Sequence, residues 1–343
     1  MPETIRIEID ESSKTAEVRR VARKLASDIG LDESAVERVA IGVTEVCTNI
    51  LKHAVRGSVL LRVTENGNLA LEVLALDKGP GMTNLEQCLR DGFSTGGSAG
   101  QGLGAIMRLS TASDFYTMPG QGTAVLAKWS TQEAKPPSTN GPGCRNPRKL
   151  SVGAVNVCKP GQLVCGDAWG VEQNERESVL MVADGLGHGP EAKAASIEAV
   201  RMLHLNPELP PMALIERAHR ALRSSRGAAV AVARVDREAG KVTFAGIGNI
   251  SAHIYSSART GQHLVSVNGT AGHETQRLHE FSYPWPADGT LVLHSDGLSS
   301  ATNLESRPGL ASRDPTLIAG VLYRDFCRGN DDATVVVAQV FKQ

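Results

Sequence analysis

The sequence predicts a mixed α/β (α+β) fold that is divided between two domains. Its 343 residues are long for one domain and comfortable for two. Residues 131–149 interrupt the regular patterning with four prolines and two glycines, which is typical of a linker. On both sides of this segment, runs with helical spacing occur among short apolar runs that are typical of strands. We therefore expect domains at residues 1–130 and 150–343.

The composition indicates a globular protein without a marked charge. Hydrophobic residues make up 41% of the chain and charged residues 21%, and the formal net charge is −1. This balance gives no electrostatic preference for nucleic acid or an anionic membrane. No apolar run is long enough to span a membrane, residues 1–10 lack a signal-peptide core, and the six cysteines are not closely paired. We expect a cytoplasmic protein that binds neither nucleic acid nor membrane.

The predicted order of elements in the first domain is helix, helix, strand, strand, loop, helix and strand. The first helix follows Ser12-Ser13, which we expect to cap it, and the second runs from Glu33 to Ala54. Asn66-Gly67 is a strong hairpin signal between the first two strands. The strands are predicted at residues 59–63, 69–76 and 123–129.

The second domain alternates strand-like and helical runs. Its strands are predicted at residues 151–157, 178–183, 228–235, 242–245, 291–294 and 333–341. Its helices are predicted at residues 191–205, 211–223 and 315–326.

Polar side chains that suit a nucleotide follow one another along the first domain. Glu45 and Asn49 lie opposite the apolar face of the second helix, and asparagine is a poor helix former that needs a reason to stand there. A core helix with a solvated back is the ordinary explanation of such a pattern. However, Asp77 ends the next apolar strand, where its carboxylate can accept a hydrogen bond from an exocyclic amine. Gly79 and Gly81 allow the backbone to approach a flat base closely.

A glycine-rich stretch at residues 94–104 leads into a short helix that is predicted at Ala105–Leu109. Glycine amides that lead into a helix N-terminus form a general phosphate-binding arrangement. One glycine-rich loop is a weak signal by itself. Here it comes after a Glu-x-x-x-Asn helix and an Asp-x-Gly-x-Gly turn, so the order of the three motifs favours a nucleotide site.

In that order, the motifs resemble the GHKL (Bergerat-fold) ATPases over residues 10–130, and specifically the RsbT-like anti-sigma-factor serine kinases. The resemblance implies a two-layer α/β sandwich that binds ATP and Mg²⁺. It implies that Asn49 ligates Mg²⁺, that Glu45 is the general base for a serine or threonine hydroxyl, and that Asp77 holds adenine. The other residues that it assigns to ATP are Gly79, Gly81, Gly100, Gly102, Leu103, Gly104 and Thr123. A histidine-kinase role is less favoured, because no helix pair with a phosphoacceptor histidine precedes the domain.

Aspartates stand at the ends of several apolar runs in the second domain. Asp184-Gly185 and Asp296-Gly297 follow such runs, Asp331-Asp332 precedes one, and Asp167 ends another. A single Asp-Gly is usually a turn, but carboxylates that crowd together repel each other unless a cation neutralises them. Hard oxygen ligands favour Mg²⁺ or Mn²⁺ over zinc. Two such ions can clamp a phosphate for in-line attack.

The stretch Asp-Gly-Leu-Gly-His-Gly-Pro-Glu-Ala at 184–192 resembles the SpoIIE/RsbX branch of the PPM metal-dependent serine/threonine phosphatases, and two later motifs, at 295–298 and 330–334, support this. The resemblance implies an α-β-β-α sandwich with Asp184 and Asp296 as catalytic residues. The metal ligands that it implies are Asp167, Asp184, the Gly185 carbonyl, Asp296 and one or both of Asp331 and Asp332. Position favours Asp331 within that pair, and Asp332 stays open. His188 is either a phosphate contact or a structural loop residue, and we interpret the Gly248-Asn249 turn as scaffold.

Together, the two resemblances imply a bifunctional switch that phosphorylates and dephosphorylates serine or threonine in STAS-domain proteins. Such partners are anti-sigma-factor antagonists or stressosome scaffold proteins, and a homodimer is compatible with the sequence. In the alternative, the phosphatase is the only enzyme and the first domain is an ATP-dependent regulatory or partner-binding module. A non-catalytic scaffold is a third hypothesis, which the retained carboxylates oppose. Whether both domains act on one protein is left open.

Overall fold

The chain divides into two compact units, Met1–Gly141 and Pro142–Gln343. The predicted linker from 132 to 148, the Asn66-Gly67 turn and Gly100 lie outside the described residues. Within the part of the chain that is described, no helix is long and apolar enough to cross a membrane. The computed structural model describes residues 4–54, 56–64, 69–89, 102–131, 149–257, 259–273 and 277–340.

The first unit is an antiparallel five-stranded sheet that packs against helices. Its strands follow the order β1-β2-β3-β5-β4, and residues such as Val39 and Val43 of the helices are buried against Val73 of the sheet. This is the predicted two-layer α/β sandwich. The elements are β1 (Ile5–Ile9), α1 (Ser12–Asp28), α2 (Glu33–Asn49), β2 (Gly57–Thr64), β3 (Ala70–Asp77), α3 (Leu85–Leu89), α4 (Gly102–Leu109), β4 (Ala112–Thr117) and β5 (Thr123–Ser130).

The beginning of this unit differs from the prediction. Ser12-Ser13 are the first residues of α1 and do not cap it, since Glu11 occupies the N-cap position and its carboxylate accepts the Ser13 hydroxyl. Strand β1 was missed because five residues with only Ile7 and Ile9 buried form too short an alternating pattern. Strand β4 was missed as well.

Helix α2 is shorter than predicted. It begins at Glu33 after the N-cap residue Asp32, whose carboxylate accepts the N–H of Ala35 at 2.7 Å. Its α-helical part ends at Asn49. Ile50–Ala54 continue as a π-helix. Apolar spacing does not separate an α-helix from one π-helical turn, so the prediction merged them. Single π-helical turns are frequent at functional sites.

The second unit consists of two packed antiparallel sheets between helices. The strand orders are β13-β10-β9-β8-β7 and β12-β11-β14-β15-β6. Leu180 and Phe244 of the first sheet are buried against Leu293 and Val336 of the second, so the predicted α-β-β-α sandwich is confirmed. The elements are β6 (Leu150–Val157), β7 (Asp167–Gln173), β8 (Glu177–Gly185), α5 (Pro190–Leu205), α6 (Pro211–Ala221), β9 (Ala228–Asp236), β10 (Lys241–Ile247), β11 (Ser251–Ser256), β12 (Arg259–Leu264), β13 (Phe281–Pro284), β14 (Thr290–His294), α7 (Pro315–Phe326) and β15 (Ala333–Val340).

Candidate active sites

In the first unit, Glu45 and Asn49 of α2 meet the first residue of α4. A Cβ atom on Gly102 would lie 3.1 Å from Asn49 Oδ1 and 3.3 Å from Glu45 Oε2. Glycine therefore lets the N-terminus of α4 approach both polar side chains. The structure brings together the Glu-x-x-x-Asn helix and the end of the glycine-rich loop, which lie about fifty residues apart in the sequence.

Asp77 is held at the end of β3 by backbone donors. Its Oδ1 accepts the N–H of Gly79 at 2.8 Å and the N–H of Thr123 at 3.2 Å. These bonds join the turn after β3 to the start of β5 and orient the carboxylate. The hydroxyls of Thr123 and Thr117 lie 3.3 Å apart, so Thr123 contributes both to the Asp77 turn and to the neighbouring strand.

The glycines of this turn also have packing roles that the sequence did not reveal. Gly81 has φ +67°, and a Cβ atom there would lie 2.0 Å from the carbonyl oxygen of Met118. A Cβ atom on Gly79 would lie 2.8 Å from the Cβ of Ala54, at the end of the π-helix. Close backbone packing alone therefore requires glycine at both positions.

The remaining side chains of the predicted nucleotide site lie in different surroundings. Leu103 is partly buried against the hydrophobic core of the first unit, and Gly104 is buried within α4. Lys52 and His53, which share a helical face with Asn49 in the sequence pattern, are exposed on the π-helix.

In the second unit, Asp167 and Asp184 face each other directly across β7 and β8. Asp167 is the first residue of β7, and the short apolar run before it, at residues 163–165, does not form a strand. The two carboxyl groups lie close together, so the charge of one disfavours ionisation of the other. Burial, followed by the charges of Asp167, Asp296 and Asp331, raises the pKa of Asp184 to about 9.

Asp167 has one carboxylate oxygen with a partner and one without. Its Oδ2 accepts the Ser295 hydroxyl at 2.6 Å, whereas Oδ1 is buried and has no hydrogen-bond partner among the described residues. Burial raises the pKa of Asp167 to about 7, although hydrogen bonds from Ser295 and Thr334 oppose the shift. A buried oxygen without a partner is unfavourable. A cation beside Oδ1 would remove that penalty, so these residues fit a metal ion.

Asp296 follows β14 and is bonded to an asparagine from another turn. Its Oδ2 accepts the side-chain amide of Asn249 at 2.6 Å. Burial and the charge of Asp331 raise its pKa. Asn249 was interpreted as scaffold from the sequence, and the structure shows that it contacts a candidate metal ligand. The Gly248-Asn249 turn at a strand end is the signal that could have indicated this contact.

Asp331 and Asp332 act on different members of the cluster. After burial, the charge of Asp331 contributes to the raised pKa values of both Asp184 and Asp296. Asp332 is 3% exposed, its Oδ1 accepts the Lys159 N–H at 2.8 Å, and its charge adds to the raised pKa of Asp167. The charge of Asp331 thus acts on two candidate ligands. Asp332 is tied to the loop after β6 through Oδ1, while its Oδ2 is buried without a hydrogen-bond partner among the described residues.

Gly185 is the last residue of β8, and His188 lies in the segment that connects β8 to α5. A Cβ atom on Gly185 would lie 2.0 Å from the carbonyl oxygen of Ala192, so only glycine allows α5 to pack against this strand end. His188 is exposed between Gly187 and Gly189, whose φ angles are +89° and +79°. The segment is thus a tight glycine turn beside Asp184.

The cluster supplies only part of a coordination shell. Among the described residues, no three His, Cys, Asp or Glu side chains converge closely enough to hold one ion by themselves. Mg²⁺ usually keeps several waters and binds through one or two carboxylates. The arrangement therefore suits ions whose shells are completed by water and a backbone carbonyl.

Comparison with known proteins identifies both units. Residues 10–129 match the histidine kinase-like ATPase domain family, and residues 174–341 match the family of stage II sporulation protein E (SpoIIE). The first unit belongs to the histidine kinase-like ATPase domain family. The second unit matches the SpoIIE family over most of its length and has the fold of a PPM-type phosphatase domain. These domain types imply ATP and a divalent metal ion as cofactors.

Two curated proteins of Bacillus subtilis (strain 168) are similar to different parts of the chain. Serine/threonine-protein kinase RsbT is 31% identical over 113 residues, which make up 32% of this chain and 85% of RsbT. Phosphoserine phosphatase RsbX is 23% identical over 141 residues, which make up 41% of this chain and 71% of RsbX.

Two solved structures support the fold. One, described as "The bacterial stressosome: a modular system that has been adapted to control secondary messenger signaling", has a TM-score of 0.51 and 28% identity, and covers 55% of this chain and 99% of its own. The other, RsbX in complex with magnesium, has a TM-score of 0.50 and 21% identity, and covers 56% of this chain and 96% of its own. At that identity the RsbX structure shows the fold alone.

Proposed function

We propose that the protein is a bifunctional cytoplasmic switch that acts on STAS-domain proteins. The unit at residues 1–130 transfers phosphate from ATP to a serine or threonine, and the unit at 150–343 removes it. The likeness to the kinase RsbT supports the first activity, and the likeness to the phosphoserine phosphatase RsbX supports the second. The similar stressosome structure supports a scaffold protein of that assembly as the partner.

The observation that carries the phosphatase activity is the buried, unpartnered Oδ1 of Asp167 beside Asp184. Bound divalent ions would neutralise these carboxylates, activate water and polarise the phosphate. Ser295 orients Asp167, and Asn249 orients Asp296, through the hydrogen bonds at 2.6 Å. We propose Asp167, Asp184, the Gly185 carbonyl, Asp296 and Asp331 as ligands, with Asp332 bracing the adjacent loop. The magnesium complex of RsbX supports Mg²⁺, and Mn²⁺ suits the same oxygen ligands.

The kinase activity rests on the Glu45, Asn49 and Gly102 cluster. We propose that Asn49 holds Mg²⁺ at the ATP phosphates and that the N-terminus of α4 donates backbone N–H groups to them. Glu45, whose Oε2 lies beside the same helix terminus, accepts the proton of the substrate hydroxyl. Asp77, fixed by two backbone donors, receives the adenine amine.

Two variants separate the two activities. Purified protein is incubated with labelled ATP and a STAS-domain substrate. Asp184→Asn is expected to let phosphoserine or phosphothreonine accumulate, and Asn49→Ala to prevent its formation. Asp236→Asn is the matched control, because this aspartate pairs with Arg176 on the surface of the phosphatase unit, outside the cluster. ATP binding without transfer to any STAS-domain substrate would overturn the kinase activity and leave the first unit as a regulatory module.

Removal of the metal tests the phosphatase activity independently of the kinase. Dephosphorylation of a chemically prepared phosphoserine substrate is expected to stop in chelator and to return with Mg²⁺ or Mn²⁺. Activity that survives complete metal removal would contradict the proposed site.

A further inference from the structure

The phosphatase unit contains another concave site, formed by residues outside the aspartate cluster. It is a cavity of about 550 Å³ between α6, the turn after it and the segment before β13. Its volume lies within the usual range of small-molecule pockets. The cavity is lined by Met212, Glu216, His219, Arg220, Arg223, Arg277 and Leu278.

The charge of this lining is strongly positive. Three arginines face one carboxylate, Glu216, which lies 3.7 Å from Arg220 one helical turn away. That pair is exposed and therefore weak. Within the described part of the chain, neither Arg223 nor Arg277 forms an ion pair or hydrogen bond. Two guanidinium groups thus remain available to a ligand.

His219 adds a further donor. Its Nδ1 accepts the N–H of Gly272 at 3.1 Å, so the neutral ring carries its proton on Nε2. Apart from the carboxylate of Glu216, every polar side chain of the lining is then a hydrogen-bond donor. Such a lining is complementary to phosphate or carboxylate oxygens.

The floor of the cavity is apolar and anchored. Met212 and Leu278 are partly buried and pack against the hydrophobic core beneath α6. The N–H of Met212 donates to Glu280 Oε2 at 3.0 Å, which joins the start of α6 to the segment that carries Leu278. An anchored apolar floor under a rim of arginines accommodates an organic body with charged groups.

We propose that this cavity binds a small organic anion that carries at least two phosphate or carboxylate groups. The planar guanidinium groups of Arg223 and Arg277 bind one oxyanion group each, in the bidentate geometry that arginine favours. Arg220 and the Nε2–H of His219 complete the rim, and the apolar floor receives the body of the ligand. Binding at this cavity does not depend on the proposed kinase activity or on the proposed phosphatase activity.

Calorimetric titration of the full chain with pyrophosphate tests the proposal. The titration is performed in chelator and on an Asn49→Ala background, so that neither the metal cluster nor the nucleotide site takes up the probe. The double variant Arg223→Ala/Arg277→Ala is expected to weaken binding at least about tenfold, because two charge-assisted contacts are lost. Arg217→Ala is the control, since this exposed arginine lies on α6 outside the cavity, and it should change affinity less than about twofold.

Three results would overturn the proposal. Pyrophosphate does not bind the Asn49→Ala protein, or it binds the double variant with unchanged affinity. In the third case a hexaglutamate peptide binds and pyrophosphate does not, which would assign this surface to an acidic protein segment.

Discussion

Glu72 in the first unit and Asp167 in the second are both buried carboxylates, with 5% and 4% exposure, but their surroundings are opposite. Glu72 accepts Arg62 Nε at 2.7 Å and Lys128 Nζ at 2.9 Å. Burial alone would raise the pKa of Glu72, yet the two cations outweigh it and lower the pKa to about 2. Asp167 has hydroxyl donors and no ion-pair partner in the described chain, and burial raises its pKa to about 7.

The comparison shows that the positive charge that balances a buried carboxylate comes from a different source in each unit. In the first unit, the neighbouring strands β2 and β5 provide the cations, so the buried carboxylate is stabilising without any ligand. In the second unit, no described residue forms an ion pair with Asp167 or Asp184, and Arg328 offsets only part of the raised pKa of Asp296. This arrangement is unfavourable until a cation binds from solvent. Proteins retain such local instability mainly at functional sites.

The largest expected effect is a loss of stability when Glu72, the carboxylate paired with Arg62 and Lys128, is replaced. Glu72→Gln leaves Arg62 and Lys128 near each other without a counter-charge, and should lower the free energy of unfolding of the first unit by about 3–5 kcal/mol. Urea denaturation measures this loss. Glu37→Gln is the control, because Glu37 pairs with Arg23 at a half-exposed site and should cost less than about 1 kcal/mol. Equal losses in both variants would remove the contrast between the units.

The same contrast predicts opposite pH dependences. The pKa of Glu72 is about 2 in the folded protein and ordinarily 4.5, so the unfolded chain takes up this proton first. Its stabilisation is complete above about pH 4.5 and is lost as the pH falls toward 2, on the order of 3 kcal/mol. The pKa of Asp167 is about 7 against an ordinary 3.8, so the folded form binds the proton more tightly. The metal-free second unit should therefore lose stability as the pH rises from about 4 to 7.

Calorimetric melting of the unmodified protein and of the variants Glu72→Gln and Asp167→Asn, all in chelator and over a series of pH values, measures how the stability of each unit changes with pH. Glu72→Gln should remove the loss of stability of the first unit at acidic pH. Asp167→Asn should reduce the loss of stability of the second unit at rising pH, to which the raised pKa values of Asp184 and Asp296 also contribute. If the stability of both units changed with pH in the same direction, the opposite pKa shifts of Glu72 and Asp167 would be contradicted.

A smaller effect distinguishes the adjacent aspartates. Asp331→Asn is expected to weaken Mn²⁺ binding by about 10–100-fold, because the charge of this residue acts on Asp184 and Asp296. Asp332→Asn keeps an oxygen for the Lys159 N–H and should change the affinity less. Metal titration followed by calorimetry measures both variants. The reverse order of affinities would make Asp332 the ligand.

The smallest expected effect is at the asparagine that the sequence interpretation left as scaffold. Asn249→Ala removes the amide that holds Asp296 and should raise the Mn²⁺ concentration for half-maximal phosphatase activity about tenfold. Asn303→Ala, which alters a surface turn elsewhere in the unit, is the control. If the metal requirement stays unchanged while activity falls, Asn249 acts on stability and not on the metal site.

Periodicity was sufficient to predict most of the buried elements, and the family resemblances implied both sandwiches. Strand β8 and helix α7 appear almost as predicted, because long apolar runs and helical spacing are local properties. Strand β1 and the π-helix after α2 were missed, since one is short and the other preserves the apolar spacing. Strand β7, which begins at Asp167, was not predicted, and the contact between Asp167 and Asp184 follows only from the pairing of β7 with β8.

The sequence by itself determined the residue types: a glutamate, an asparagine and glycines for a nucleotide, and aspartates at strand ends for a metal. Only the tertiary structure decided which of them share a site and which are already satisfied. Ser295 reaches Asp167 across 128 residues, and Asn249 reaches Asp296 across 47. Such contacts depend on strand register and sheet packing, which local patterns do not encode. The surroundings of a buried carboxylate then decide whether its charge stabilises the fold. Beside a cation of the same unit the charge is stabilising, and without one it is destabilising.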